Sequence, residues 1–276
     1  MKSINRFIYT NPKNVGLNTI FNRKKPAASV EVMGMVFFIF LWCILSYFIF
    51  AKEGSEHLRG FLPLPTFKAL VDYLTRGNFW LSAWASCRRV FLGIFLASVV
   101  GVPLGIIIGY YPVIRKFTYS PIQFIRMISP LSWMPVALLL FASFESAVSF
   151  LIVMACVCPI LLNTAIGVLN VNPQWVRMAM NQGAGHIQLI RTIIIPHSIP
   201  YMLTSIRLAL GIAWIVLVPA EFLGVSSGLG YLINDARDTM EYDRLMAMII
   251  AIGIIGYTLD RILQRIQRIF SWTWAE

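Results

Sequence analysis

The side chains best suited to chemistry with another molecule are gathered in one polar stretch between two long apolar runs. Val176-Arg-Met-Ala-Met-Asn-Gln-Gly-Ala-Gly-His-Ile-Gln-Leu-Ile-Arg-Thr-Ile-Ile-Ile-Pro196 joins polar groups to a Gly183-Ala184-Gly185 joint. A membrane protein needs such a surface if a soluble partner is to grip it from one side. Glycine tolerates positive φ, so the spacing predicts two short helices, 175–181 and 186–195. Met178, Ala179 and Gln182 are expected to face one way, a modest apolar knob for a partner's groove. Ile187, Leu189, Ile190, Ile193, Ile194 and Ile195 are too apolar for a plainly solvated loop. The chemistry on offer is docking.

Catalytic and metal-binding patterns are not evident. His57, His186 and His197 fall in different loops without ligand-like spacing. Cys156-Val-Cys158 sets its thiols about 200° apart on a helix, which does not suit one ion. Cys43, Cys87, Cys156 and Cys158 read as buried, inert thiols. Gly224-Val-Ser-Ser-Gly-Leu-Gly-Tyr231 has the glycine content of a phosphate-cradling loop, but neither a strand nor a Gly-Lys-Ser/Thr sequence accompanies it. No cofactor or metal is expected in this chain, and any ATP chemistry must belong to a partner.

The elements that position the polar stretch are membrane spans. The chain has 276 residues, 58% hydrophobic and 13% charged, with a mean hydropathy of +0.73. A soluble domain holds roughly 45–50% apolar residues. A span needs about 20 mostly apolar residues, and such runs lie near 33–51, 90–111, 121–142, 147–169, 199–223 and 245–260. The fold class is therefore all-α integral membrane with about six spans. The organisation expected is a basic arm at 1–32, an anchor at 33–51, an outer loop at 52–89 with an amphipathic run at 67–74, a helical core at 90–268 that contains the polar loop 170–196, and a tail at 269–276. The first apolar run exceeds the ~7–15 residues of a signal-peptide core and precedes a poor cleavage site, so it reads as an uncleaved anchor.

Charge orients the spans. The net charge is +11, and Lys2, Arg6, Lys13, Arg23, Lys24 and Lys25 precede the first span. The positive-inside rule puts that arm inside. Alternation then puts Arg115/Lys116, Arg177/Arg191, Arg261/Arg265/Arg268 and the C-terminus inside, and Asp235, Asp238, Glu241 and Asp243 outside. Lys52, Arg59, Lys68, Arg76, Arg88 and Arg89 run against the rule. Basic charge strung along loop ends, rather than gathered on one face, argues against a nucleic-acid partner.

Polar groups inside the spans are few. Ser129-Pro-Leu-Ser-Trp-Met-Pro135 interrupts the third span with two prolines, and the freed carbonyls need protein or a water-lined cavity. Ser129, Ser132 and Trp133 are thus candidates for lining a path. Arg207, roughly two turns inside the fifth span, either faces a bundle interior or snorkels to the inner surface. Glu221, near the outer end, either faces that interior or pairs with a neighbouring helix. Gly101, Gly105 and Gly109 repeat on one face of the second span, a pattern that favours close helix contact and assembly.

The 176–196 stretch resembles the EAA loop of ABC-importer permeases. Gly183 and Pro196 sit at that pattern's glycine and proline, and Ala179 at its second alanine; Arg177 and Met178 stand where Glu and the first Ala usually stand. Ser86-Cys-Arg-Arg-Val-Phe-Leu-Gly93, Pro159-Ile-Leu-Leu-Asn-Thr164, Arg207-Leu-Ala-Leu-Gly-Ile-Ala-Trp214, Ala220-Glu-Phe-Leu-Gly224 and Leu259-Asp-Arg261 look like the nitrate/sulfonate/taurine/bicarbonate group of these permeases, over about 65–265. The resemblance implies a type I importer in a bacterial-type cytoplasmic membrane. Two permease subunits, commonly identical, form the path; two ATPase subunits carry ATP and Mg; an external substrate-binding protein delivers cargo. It implies no catalytic residue here, with Arg177, Met178, Ala179, Gln182, Gly183, Ala184, Gly185 and His186 against the ATPase. Ser129, Ser132, Trp133, Arg207, Trp214 and Glu221 would lie along the path. The implied cargo is a small anion, nitrate, organosulfonate or bicarbonate, with Arg88/Arg89 or Arg207 as the attracting charge. The competing class is a stand-alone channel or secondary transporter; the internal repeat such proteins often carry is not evident.

Overall fold

A computed structural model describes residues 28–50, 56–75, 77–222 and 224–272. Most of the basic arm expected at 1–32 and half of the expected tail lie outside them. Among the described residues every regular element is helical. The chain divides into two units, Met1–Glu56 and His57–Glu276. The first contains α1 (Ala28–Phe50), apolar all round and long enough to cross a membrane; nearly all its described side chains are exposed.

In the second unit, a short 3-10 turn (Glu56–Phe61) leads to α2 (Pro63–Thr75), then α3 (Gly77–Tyr110), α4 (Pro112–Met127), a 3-10 turn (Pro130–Trp133) and α5 (Met134–Leu140). Next come α6 (Phe144–Leu169), α7 (Pro173–Asn181), α8 (His186–Leu189), a π turn (Ile190–Ile194), α9 (Ile195–Glu221), α10 (Leu229–Asp238) and α11 (Tyr242–Trp272). Five helical stretches among the described residues are long and apolar enough to span a membrane, or six if the bent pair α4 and Pro130–Leu140 counts as one.

The centre of the unit is α3 against α6, and glycine decides how close they come. A Cβ on Gly93 would lie 2.4 Å from Ile152 Cγ2, one on Gly105 2.6 Å from the Leu161 carbonyl oxygen, and one on Gly109 2.6 Å from Val168 Cβ. The partner number advances in step with the glycine number, so the two helices run parallel. The glycine face read as favouring assembly is thus used inside the chain, where it brings backbones together. Val90, Ile94 and Ala97 of α3 join Leu151, Ile152 and Ile160 of α6 and Ala209, Ala213 and Leu217 of α9 in one buried cluster.

Parallel neighbours require a return crossing, and α4–α5 supplies it in broken form. α4 ends at Met127, Ile128 and Ser129 are extended at ψ 126° and 130°, and the halves meet at 86°. Pro130 disfavours helical backbone at the residue before it. α9 runs antiparallel to α6, with Cys156 Sγ donating to Ala209 O at 3.4 Å and Gly167 beneath Tyr201. α11 runs antiparallel to α9: Gln267 Nε2 donates to Thr204 Oγ1 at 2.7 Å, and Trp214 Nε1 to Ile252 O at 3.1 Å.

Two expected boundaries move. The second span starts at Gly77 rather than 90, so Trp80, Trp84, Arg88 and Arg89 stand on α3 instead of in a loop. The amphipathic run begins at Pro63 and buries Ala69 and Leu70 against Phe79, Leu229, Ile233 and Met248, while Leu64 and Val71 stay exposed. Basic Arg115, Lys116, Arg177, Arg191, Arg265 and Arg268 lie toward the end of the bundle that holds α7; Asp235, Asp238, Glu241 and Asp243 lie toward the other.

If the glycine contact sets the helix spacing, Gly105→Ala lowers the thermal midpoint of the detergent-solubilised chain, at an overpacking cost of about 1–3 kcal/mol. Gly253→Ala is the control, because a Cβ there meets nothing within 4 Å; it should leave the midpoint unchanged or slightly raised. Equal losses at both positions would contradict the assignment.

Candidate functional site

The polar loop is built as a capped helix on an apolar footing. Asn172 Oδ1 accepts from the Gln174 N–H at 2.9 Å, and Pro173 opens α7, where no N–H is needed. The far end closes with Ala184 N–H on Ala179 O at 3.0 Å and Gly183 N–H on Met180 O at 2.9 Å, the Schellman pattern. Gly183 has φ +84° and open space around it, so its backbone angle and not room selects glycine. Val168, Val171, Leu189 and Ile194 form the buried footing.

That footing corrects one expectation. Val176 and Ala179, three apart on α7, both turn onto it, so Ala179 is half-buried and does not share a face with Met178 and Gln182. The surface left for a partner is Arg177, Met178, Gln182, Gly183, Gly185, His186 and Ile187, all exposed, with Ala184 half-buried between them. Met178 is 60% exposed and Ile187 70%, more apolar area than a solvated loop normally shows.

The loop is also tied to the spans. Tyr110 Oη, at the end of α3, lies 2.5 Å from His186 Nδ1. The second short helix does not stop at 195: Leu189 runs through the π turn into α9, giving one helical stretch, His186–Glu221. The Ile195 N–H reaches back five residues to Ile190 O. Pro196 has no N–H and its ring crowds the preceding turn; widening that turn lets the helix pass through the proline unbroken.

At the opposite end of α9, Glu221 is 1% exposed and answered from every side. Arg89 Nη1 donates to Oε1 at 2.6 Å, Ser86 Oγ at 2.8 Å, and the Gly230 N–H to Oε2 at 2.8 Å. Gly228 and Gly230 make room, since a Cβ on either would come within 2.7 Å of Glu221 atoms. At the first turn of α10 the Gly230 N–H thus meets a carboxylate, the arrangement that suits an anion, while the Leu229 N–H donates to Ser86 Oγ at 2.8 Å. Arg89 also reaches Ser227 O at 2.8 Å and Glu145 of α6 at 3.2 Å, and Arg88 takes the other Glu145 oxygen at 2.6 Å.

Several expected path residues are consumed by such contacts. Glu221 is enclosed rather than lining a path. Arg88 and Arg89 are neutralised by carboxylates and do not form a free positive field, which also accounts for their place on the side the positive-inside rule disfavours. Arg207 is about a third exposed and not alone: Nε and Nη2 form a two-point bridge to Asp260 of α11 at 2.7 and 2.9 Å. Trp214 packs over Gly256 and bonds α11 backbone. Trp133 packs on the central cluster. Ser129 and Ser132 are exposed at the bend. Cys156 and Cys158 are buried, but Cys43 is exposed on α1 and Cys87 is half-buried.

Beside the bend, a cavity of about 740 Å³ opens between α4 and α6. Its wall carries Arg115, Thr118, Gln123, Arg126 and Asn163, none of which was singled out as a path candidate from the sequence. The signal was present: Arg126 is a lone charge within the run expected to be the third span.

The described residues form a bundle of parallel and broken spans with an exposed polar loop at one end. The family model described as binding-protein-dependent transport system inner membrane component matches residues 101–272, and the chain belongs to that family. A putative ABC transporter permease of Methanocaldococcus jannaschii is 40% identical over 189 residues, 68% of this chain and 71% of that one. A bicarbonate transport system permease of Synechococcus elongatus is 30% identical over 260 residues, 90% and 91% of the two chains. A nitrate import permease of Leptolyngbya laminosa is 31% identical over 185 residues, 67% and 66%. The solved bacterial ABC transporter that imports the acidic polysaccharide alginate has the same fold, with a TM-score of 0.63 at 14% identity, covering 87% of this chain and 97% of that one. This is a multi-pass permease subunit of ABC-importer type.

Arg89→Ala strands a buried carboxylate, at roughly 3–5 kcal/mol. The expected result is a sharp fall in folded yield and thermal midpoint, partly recovered when Glu221→Gln is added. An Arg89→Ala chain as stable as the parent would show that this cluster does not hold the helix ends together.

Proposed function

We propose that the chain forms the translocation path of an ATP-driven importer for a small oxyanion of the nitrate or bicarbonate kind. Two copies pair around the path, an external binding protein delivers the anion, and two ATPase subunits hold the 170–196 loops. The relatives support the cargo class: nitrate and bicarbonate are both planar monoanions with three oxygens, so one set of donors suits either. The gathering of Arg115, Lys116, Arg177, Arg191, Arg265 and Arg268 toward the α7 end supports a cytoplasmic position for that loop. ATP and Mg belong to the partners.

The observation that carries the reading is the continuity of His186–Glu221. Closure of the ATPases draws the two loops together, and a helix that does not break at Pro196 carries the displacement through the membrane. Arg177 stands exposed on α7, where it meets an acidic residue of the ATPase.

The test uses the assembled permease–ATPase complex with its binding protein in liposomes. Arg177→Glu should leave the complex assembled and reduce ATP-dependent uptake about tenfold or more, the scale of a lost charge-assisted contact. Gly183→Val, which forces a branched side chain into φ +84°, should uncouple hydrolysis from uptake in the same way. Unaltered uptake in both variants would contradict the proposed role of the loop.

A further inference from the structure

Four of the arginines on the spans have carboxylate partners: Arg88 with Glu145, Arg89 with Glu145 and Glu221, Arg207 with Asp260, and Arg244 with Glu241. Arg126 is different. No acid pairs with it among the described residues, and no Asp or Glu lines the cavity it faces. Its side chain is exposed, on the wall of that cavity. It shares the cavity wall with Cys158, near the middle of α6 (Phe144–Leu169). An uncompensated charge at that depth is costly and persists where it faces water or a counter-ion.

We propose that the α4–α6 cavity is an anion station on the path, with Arg126 as the residue that meets the oxyanion. This rests on the importer reading above and deepens it. The guanidinium fork presents two parallel N–H groups, which match two oxygens of a planar oxyanion side by side. Gln123 stands one turn away on the same face of α4, and Asn163 faces it from α6. Asn163 Nδ2 already donates to Pro159 O at 2.9 Å, which holds the carboxamide in place. The remaining wall is mostly apolar, which strengthens each charge contact by keeping water out. Arg115 lies eleven positions earlier on α4, about 16 Å along a helix axis, and also lines the cavity. Two cationic stations, spaced along the helix toward the α7 end, pass an anion inward without holding it in one deep well.

The experiment compares the whole reconstituted complex with Arg126→Gln and Arg126→Lys, using nitrate and bicarbonate in turn as probes. Arg126→Gln should lower uptake of the carried anion about tenfold or more per assembled complex, with basal ATP hydrolysis retained. Arg126→Lys keeps the charge but loses the fork, and should fall between the two. Wild-type uptake by Arg126→Gln, in a complex whose Arg177→Glu form is uncoupled, overturns the anion station and leaves the importer reading standing. A loss confined to assembly or thermal midpoint, with uptake per complex unchanged, overturns it equally. Absence of ATP-dependent uptake of either anion by the parent complex removes both the station and the cargo reading.

Discussion

A carboxylate sealed inside a membrane bundle must be answered by the protein itself, and the arrangement around Glu221 depends on meeting that demand. Its oxygens receive Arg89, Ser86 and the Gly230 N–H. Those three donors come from α3 and from the start of α10, while Glu221 closes α9. Arg89 extends the cluster to Glu145 of α6. One buried charge therefore sets the relative positions of three spans and a capping helix at the end remote from the loop. Gly228 and Gly230 are conditions of the same contact, since side chains there would occupy the carboxylate's space. Ion pairs of this kind add little net stability compared with apolar packing; what they contribute is register.

The opposite end is built by other means. Among the described residues no buried charge holds α7; a Schellman cap, an asparagine cap and a patch of valines and isoleucines do. The loop is thus firm enough to be gripped, yet joined to the bundle through the unbroken helix His186–Glu221 and the Tyr110–His186 contact. The break between α4 and α5 then has a natural use, because it leaves space beside α6 that the parallel pair α3–α6 cannot provide.

Much of this was legible in the sequence. The glycine spacing at 101, 105 and 109 announced a close helix contact, and the Gly183 joint announced a turn that needs positive φ. The paired prolines announced a broken span. What was not legible depended on pairs distant in sequence. Arg207 and Asp260 are 53 positions apart and Arg89 and Glu221 are 132 apart, so nothing local showed that those charges were already spent. Arg126 is visible in the sequence as a lone charge within the third apolar run, but that it faces a cavity without an acid depends on α6, far along the chain. The face Ala179 takes is not readable locally, because the apolar footing beneath α7 is assembled from three separate segments, around 106–110, 168–171 and 189–194. The early start of α3 at Gly77 was obscured by Arg88 and Arg89, charges that lower the apolar score of a helix whose fold compensates them.

The central claim is that this permease works only when a partner grips its loop. The most direct measurement is purification of the tagged chain from its own membranes in mild detergent, with identification and quantitation of what accompanies it. The account requires an ABC ATPase at a stoichiometry comparable to the permease, released when α7 is replaced by a flexible linker. A chain that purifies alone from several gentle detergents, while still conducting anions in liposomes without ATP, would contradict it.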